Sequence, residues 1–478
     1  MLWILVGYLF LTVGLGFWQG RRTRSQEDFV LGGSKLPGWM LALSERATGE
    51  SAWLLLGFTG FVYANGLSGL WIAAGCLAGI CTSWIVLARK FRQEAARHQA
   101  LTMPEYFSAR FPDRAATIRL LSTAIIAFFF VFYVGAQFAG AGKTIERTFG
   151  LAPVWGQTIS AVVIMAYASF GGFISVVAVD AFQAILMILT LVATPLIMLA
   201  KVAAGPVSLS AALASAGPGM TSLTGGLTGF AAGLLIFNNF AWFFGYLGGQ
   251  PQLNARFMGM RDDRQVAIGR NIAIVWTVLA YGGAIMIGLC ALALFGPKAV
   301  PDAEMILPHA LTSLLPPWLA GILLAGAVAA MVSTAESMLI VAGTSISQDA
   351  YQGIVKKGGA SDRALLAVSR VATLAIGILG LVLAFTTEKL IYSIVSYAWA
   401  GIGCSFAPAV LLSFYWDRFN SAGVVTALLA GLATTIVWVL TGLDRKVTAM
   451  AVTFVVSMGA AVVVALLTGR RAEACGAT

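Results

Sequence analysis

The stretch Ser44-Glu45-Arg46-Ala47-Thr48-Gly49-Glu50-Ser51-Ala52-Trp53 sets three charged side chains and a glycine inside an otherwise apolar run. Charge in apolar surroundings must pair, face an aqueous cavity or bind a ligand. Arg46 and Glu50 are four residues apart, so a helix would set them on one face. Asp180 interrupts another apolar run in the same way. Ser333 and Thr334 offer adjacent hydroxyls in a third, with Glu336 two residues further on. Such hydroxyls either bond a carbonyl one turn back or, with carbonyls, replace the hydration shell of a hard cation. Covalent chemistry has no comparable candidates. The two histidines, His98 and His309, both fall in loops, and the five cysteines are scattered singly without metal-ligand spacing.

The elements that must position these residues are membrane spans. The chain has 478 residues, 59% of them hydrophobic and 10% charged, and its mean hydropathy is +0.87. That composition excludes a water-soluble globular domain. A hydrocarbon core about 30 Å thick takes roughly 20 apolar residues per helix. Runs of that length repeat from end to end, predicting an all-α integral membrane protein of about 13 transmembrane helices: 2–19, 36–63, 66–89, 117–145, 151–171, 174–201, 226–249, 271–296, 317–345, 364–385, 389–414, 420–441 and 448–468. The 53 glycines suit close helix packing in lipid. The net charge of +10 comes from Lys and Arg in short loops, which reads as topology and excludes nucleic acid as a partner. Arg21, Arg22 and Arg24 follow the first run instead of preceding it, the reverse of a cleavable leader. The N-terminus is therefore expected outside, and the tail with Arg470 and Arg471 in the cytoplasm.

Two runs are broken in corresponding positions. The second carries the charged stretch. The seventh ends Trp242-Phe243-Phe244-Gly245-Tyr246-Leu247-Gly248-Gly249-Gln250-Pro251. They lie five spans apart, as in transporters built from two inverted five-helix repeats whose discontinuous helices hold ion and solute near the midplane. The expected division is a single transporter domain with a peripheral helix and loop at 1–35, repeats at 36–202 and 225–416, and two peripheral helices with the tail at 417–478. The spacing disfavours a passive channel.

Several blocks resemble the sodium/solute symporter family, and among its members the bacterial sodium/proline symporters. They are Asp28-Phe29-Val30-Leu31-Gly32-Gly33, Ala42 to Gly57, Thr102-Met103-Pro104-Glu105-Tyr106-Phe107, Gly171-Gly172-Phe173 on to Asp180 and Gln183, Gly249-Gln250-Pro251 with Ala255-Arg256-Phe257-Met258, Met331-Val332-Ser333-Thr334, and Val395 to Gly401. Seven blocks in one order make the family likeness specific over nearly the whole chain. It implies a LeuT-like fold in the cytoplasmic (inner) membrane. It also implies alternating-access import of a small organic solute, with proline or a related amino acid as first choice, Na⁺ as the transported coupling ion, no organic cofactor, and a monomer as sufficient unit. By position, the resemblance places sodium on Ser333 and Thr334 with the carbonyls of Ala47, Glu50 and Ala330. It places an inner release acid at Asp180. Solute contacts fall on Ser51, Gly57, Tyr133, Trp242, Tyr246 and Pro251, although one extra residue before Gly249 leaves Tyr246 or Leu247 at the place of the family's tyrosine.

The second span departs from that pattern: the family's aspartate is Gly49 here, and Glu45, Arg46 and Glu50 are this chain's own. Three readings stand. Glu50 or Glu336 replaces the aspartate near the cation; Arg46, Glu50 and Glu336 form a buried ionic network that holds the break; or Arg46 binds a substrate carboxylate, which favours carboxylates over proline. Asp180 has its own alternative, a structural pair with Arg256. A proton-carrying carboxylate would make H⁺ the coupling ion, and a symporter-like sensor without transport is the rival from another class.

Overall fold

The computed structural model describes residues 1–21, 26–387 and 390–475; Arg22 and Arg24, used above to orient the first span, lie outside them, as do the side chains of Arg470 and Arg471. The described elements are helices, apart from a single parallel bridge between Leu36 and Met260. Ten helical stretches are long and apolar enough to cross a membrane, and Gly229–Gly245 is a shorter apolar one.

The principal helices are α1 (Leu2–Gly20), α2 (Gly38–Ala52), α3 (Leu70–Thr82), α4 (Ala115–Phe149), α5 (Pro153–Ala203), α6 (Gly229–Phe240), α7 (Trp242–Gly245), α8 (Pro251–Met258), α9 (Asp263–Phe295), α10 (Pro317–Thr344), α11 (Asp362–Thr386), α12 (Ile391–Tyr415), α13 (Ser421–Leu440) and α14 (Ala449–Cys475). Burial separates a centre from a periphery: the most apolar part of the stretches containing α10 and α12 is 83% buried, against 22% for α1. Helix α10 packs on α2, α4, α5 and α11. On the outer ring Trp3, Phe10, Phe230 and Leu440 stand free of the protein, where lipid is the natural covering for large apolar side chains.

Three interruptions matter for function. In α5 the continuous helix hides a bend at Gly172 (φ 65°, ψ −173°), which divides it where two spans, 151–171 and 174–201, are expected. A Cβ at Gly172 would meet the Phe29 ring at 2.8 Å. In α2 the break is at Ser51 (φ 44°, ψ −172°), followed by a wide turn from Trp53 to Phe58. Between α7 and α8, Tyr246–Gln250 leave the helix and Gly248 takes φ 76°. There Gly249 lies against α12 so closely that a Cβ would sit 1.8 Å from the Gly403 carbonyl oxygen.

Candidate functional site

Ser51 occupies a region of backbone space that non-glycine residues rarely enter, at a cost of order 1–3 kcal/mol. What holds it there is polar. The Ala52 N–H donates to Gln137 Oε1 at 3.0 Å, and the Trp53 N–H to Ser51 Oγ at 3.0 Å. Without Gln137 the Ala52 N–H would be stranded in a buried region, whereas the Trp53 N–H is shared between Ser51 Oγ and the Glu50 carbonyl. Tyr133 donates its hydroxyl to the same Ser51 Oγ at 3.2 Å, and Trp399 Nε1 donates to Tyr133 at 2.9 Å. Helices α4 and α12 thus clamp the break from one side.

On the other side α10 approaches. Ser333 Oγ lies 3.0 Å from the Ala47 carbonyl and 3.1 Å from that of Ala330, and Thr334 Oγ1 lies 2.9 Å from the Thr48 carbonyl. Five neutral oxygens from two helices therefore converge in the turn preceding the break, the donor chemistry a desolvated Na⁺ takes. Ala47, Ala330, Ser333 and Thr334 come together here with Thr48, while the Glu50 carbonyl accepts the Trp53 N–H.

Thr48 also links outward: its hydroxyl is 2.9 Å from Ser337 Oγ and 3.3 Å from Asp180 Oδ2. Asp180 accepts from Ser44 at 2.6 Å and forms an ion pair with Arg256 of α8 at 3.0 Å, both side chains buried. The pairing weighed from sequence is thus present, one residue's reach from the oxygen cluster.

The added charges of the second span form their own closed group. Arg46 pairs with Glu45 and, at 2.8 Å, with Glu50. Trp84 Nε1 donates to Glu45 at 3.0 Å, and Tyr281 donates to Glu50 at 2.8 Å. The guanidinium is occupied by its own helix and has no exposed surface. Glu336 does not join this group; its carboxyl oxygens find no hydrogen-bond partner among the described residues.

Beyond Ser51 lies an aromatic chamber. The Trp53 and Trp242 ring centroids are 4.2 Å apart, those of Tyr246 and Trp399 4.3 Å, and those of Trp242 and Trp399 6.0 Å. Trp242 Nε1 donates to Tyr392 at 3.2 Å, and the Tyr246 hydroxyl meets that of Tyr281 at 3.2 Å. Trp53 Nε1 is buried without a hydrogen-bond partner among the described residues. Gly57 packs against Tyr392. Tyr246, not Leu247, supplies a ring to this chamber. Pro251 is elsewhere, lining a separate cavity with Thr102, Pro104, Thr344 and Ser345. Sequence reasoning did not single out Thr48, Trp53, Gln137, Tyr281, Tyr392 or Trp399 as functional. Thr48, Trp53 and Trp399 lie within family blocks and Gln137 is a lone amide in an apolar run, the signals that were available.

Residues 29–431 match the sodium:solute symporter family model. The chain is 32% identical over 473 residues to the osmoregulated proline transporter of Bacillus subtilis (strain 168), covering 98% of this chain and 94% of that relative. It is 33% identical over 438 residues to the sodium/proline symporter of Escherichia coli (strain K12), covering 90% and 86%. Among solved structures, a Na⁺-coupled sialic acid symporter in a substrate-bound outward-open state aligns over 96% of this chain and 97% of its own, with a TM-score of 0.79 at 17% identity. The fold is thus the LeuT-like one, and with ten membrane-capable helices the chain belongs to the sodium:solute symporter family as a multi-pass, sodium-coupled transporter.

Proposed function

We propose that the protein imports proline, or a closely related small amino acid, with Na⁺ across the cytoplasmic membrane. The observation that carries the reading is the use of both sides of one helix break. The oxygens of Ala47, Thr48, Ala330, Ser333 and Thr334 lie in the turn before Ser51, and the aromatic chamber lies after it. Sodium is assigned to the first and solute to the second. An amino-acid zwitterion needs donors for its carboxylate, aromatic faces for its ammonium and a flat apolar wall for its side chain. Trp53 Nε1 is a buried donor without a partner among the described residues, and Trp242, Tyr246 and Trp399 supply faces. The saturation of Arg46 by Glu45 and Glu50 favours this over a carboxylate substrate, which would need that guanidinium free. Asp180, linked to the oxygen cluster through Thr48, is assigned to the inner exit of the ion.

In the cycle that follows, external Na⁺ bridges α2 and α10, fixes Ser51 and Trp53, and so completes the solute chamber. Coupling arises because the ion binds the ordered arrangement better than the open one. The test is radiolabelled uptake into proteoliposomes under separately imposed sodium and proton gradients, with proline, other amino acids, carboxylates and sugars. Sodium-driven proline uptake is expected, and uptake driven by protons alone, or only of carboxylates, would overturn the reading. Replacing both Ser333 and Thr334 by Ala removes two oxygens at about 1–2 kcal/mol each. The half-saturating sodium concentration should rise roughly a hundredfold, and an unchanged value refutes the site.

A further inference from the structure

Pro251, set apart from the aromatic chamber, lines a cavity between α8 and α10 whose other walls include Thr102, Ile340, Val341, Thr344 and Ser345. Its α10 wall continues a face already in use. Thr344 stands seven residues after Ser337, two helical turns along the same side. At about 1.5 Å per residue it lies roughly 15 Å beyond Thr334.

Three hydroxyls border this cavity. Thr102 Oγ1 donates to Asp349 Oδ1 at 2.7 Å, and Ser345 Oγ donates to Asp349 Oδ2 at 2.9 Å. A hydroxyl has one hydrogen and two lone pairs. On Thr102 one lone pair takes the Glu105 N–H at 3.0 Å, and on Ser345 one takes the Thr123 hydroxyl at 3.1 Å. Each therefore keeps a lone pair and has no hydrogen to spare. Thr344 Oγ1 is buried with no hydrogen-bond partner among the described residues, a costly state for a hydroxyl.

Charge points the same way. Asp349 has no exposed surface, and it shares the Arg119 guanidinium, 3.9 Å away, with Glu105 at 3.5 Å. Arg119 is drawn as well to Ser108 Oγ at 2.8 Å and to the Gln348 carbonyl at 3.4 Å. Two carboxylates against one guanidinium leave one negative charge in excess behind the hydroxyls. That field repels an anion, and among the described residues no aromatic ring joins the walls to receive an ammonium group. Oxygens offering lone pairs, backed by a single negative charge, suit a small hard cation.

We propose that this cavity is a second sodium site, in which the oxygens of Thr102, Thr344 and Ser345 take the ion while Asp349 balances its charge from behind two of them. It lies toward the end of α10 that the Lys- and Arg-rich segments 88–119 and 356–363 assign to the cytoplasm. An ion that leaves the α2–α10 oxygen cluster passes Ser337 and halts here before release. The order of the two sites rests on the ion assignment proposed above; the existence of the second does not.

Hydrogen exchange of the purified full-length protein, followed by mass spectrometry in NaCl and in KCl of equal concentration with no solute present, tests the site. Sodium should slow exchange in the peptides covering 99–107 and 341–350, and should still do so when Ser333→Ala and Thr334→Ala are combined. Thr344→Val removes no hydrogen bond to the described protein, so a purely structural position would be silent. As a ligand, its loss should raise the sodium concentration for half-protection about tenfold, and Asp349→Asn should abolish the protection. Equal exchange in the two salts, protection that vanishes with the double variant, or a Thr344→Val response like that of the wild type would each overturn the proposal. Should Asp349→Asn fail to fold, Thr344→Val decides alone. An unchanged sodium requirement for uptake in the double variant refutes the Ser333 and Thr334 assignment and the order of the sites, while the Thr344→Val exchange result still decides this one.

Discussion

Arg46 offers the sharpest test of how this chain tolerates three charges in a membrane span. Replacing it by Met keeps most of the side-chain volume but leaves Glu45 and Glu50 facing each other without their cation. Both are buried, and the partners that remain are single neutral donors, Trp84 Nε1 for Glu45 and the Tyr281 hydroxyl for Glu50. Breaking a buried pair by removing one partner costs about 3–5 kcal/mol, roughly a hundred- to several-thousandfold in the ratio of folded to unfolded protein. Replacing the whole group by neutral residues, as Glu45→Gln, Arg46→Met and Glu50→Gln together, leaves no uncompensated charge, and buried ionic triads exchanged in that way are often nearly neutral. Thermal unfolding of the purified protein in detergent, followed by tryptophan fluorescence, should therefore show Arg46→Met severely destabilised and the triple variant close to wild type, with sodium-driven uptake returning in the triple variant. A single variant as stable as wild type, or a triple variant as unstable as the single one, refutes the ionic-group reasoning. A triple variant that is stable but has lost all uptake would instead implicate Arg46 or Glu50 in transport itself.

Tyr133→Phe removes the hydroxyl that joins Ser51 to Trp399; at about 1 kcal/mol for the lost bonds, KM for solute should rise roughly fivefold, and an unchanged KM in initial-rate uptake argues against a role beside the solute. Gly249→Ala sets a methyl group 1.8 Å from the Gly403 carbonyl, so the break before Pro251 can no longer lie against α12, and both folded yield by size-exclusion chromatography and uptake should collapse. Glu304 accepts the N–H groups of Ile391 and Tyr392 at 3.0 and 2.9 Å, the first amides of α12, which have no intrahelical partner. Glu304→Ala should accelerate hydrogen exchange in the peptide that contains these two amides by about tenfold to a hundredfold, as loss of charge-assisted bonds worth about 1.5–3 kcal/mol predicts, and unaltered exchange would refute the capping role.

How much of this was legible in the sequence depends on the range of the interaction. Apolar length marks the ten long membrane-capable stretches because lipid imposes a local rule, and the aromatic Gly-Gly-Gln-Pro stretch betrays the second break because glycine and proline cannot hide in a helix. The charged, glycine-containing stretch marks the second span as broken, but the placement of that break at Ser51 is different. Neither Ser51 nor Thr48 is a helix breaker. The interruption is maintained by Gln137, 85 positions away in sequence, and by Tyr133 and Trp399. No local pattern announces an acceptor supplied by another helix. The i,i+4 spacing of Arg46 and Glu50 matches their pairing, yet Glu336, grouped with them on charge alone, makes neither an ion pair nor a hydrogen bond among the described residues. Asp180 with a loop arginine such as Arg256 is legible as a structural pair because a carboxylate inside an apolar run needs a cation, although nothing in the sequence reveals Thr48 as the link between that pair and the hydroxyls of α10.

Thr48 gives the proposed coupling its physical form. Its carbonyl faces Thr334, its hydroxyl faces Ser337 and Asp180, and three residues later the backbone enters the strained conformation of Ser51. A cation drawn to the Ala47 and Thr48 carbonyls would fix the last helical turn before the break and thereby the direction in which Ser51 and Trp53 leave it. The conformational cost at Ser51, of order 1–3 kcal/mol, lies in the range of a typical coupling free energy between two sites, about 1–3 kcal/mol. Ion binding can therefore decide whether the chamber is ordered without either site being intrinsically tight. Strain of that size is comparable with the roughly 2.3 kcal/mol per 100 mV that the membrane potential adds for each inward-moving charge, so an energised membrane supplies enough to drive the loaded state inward and the break stays within reach of a reset.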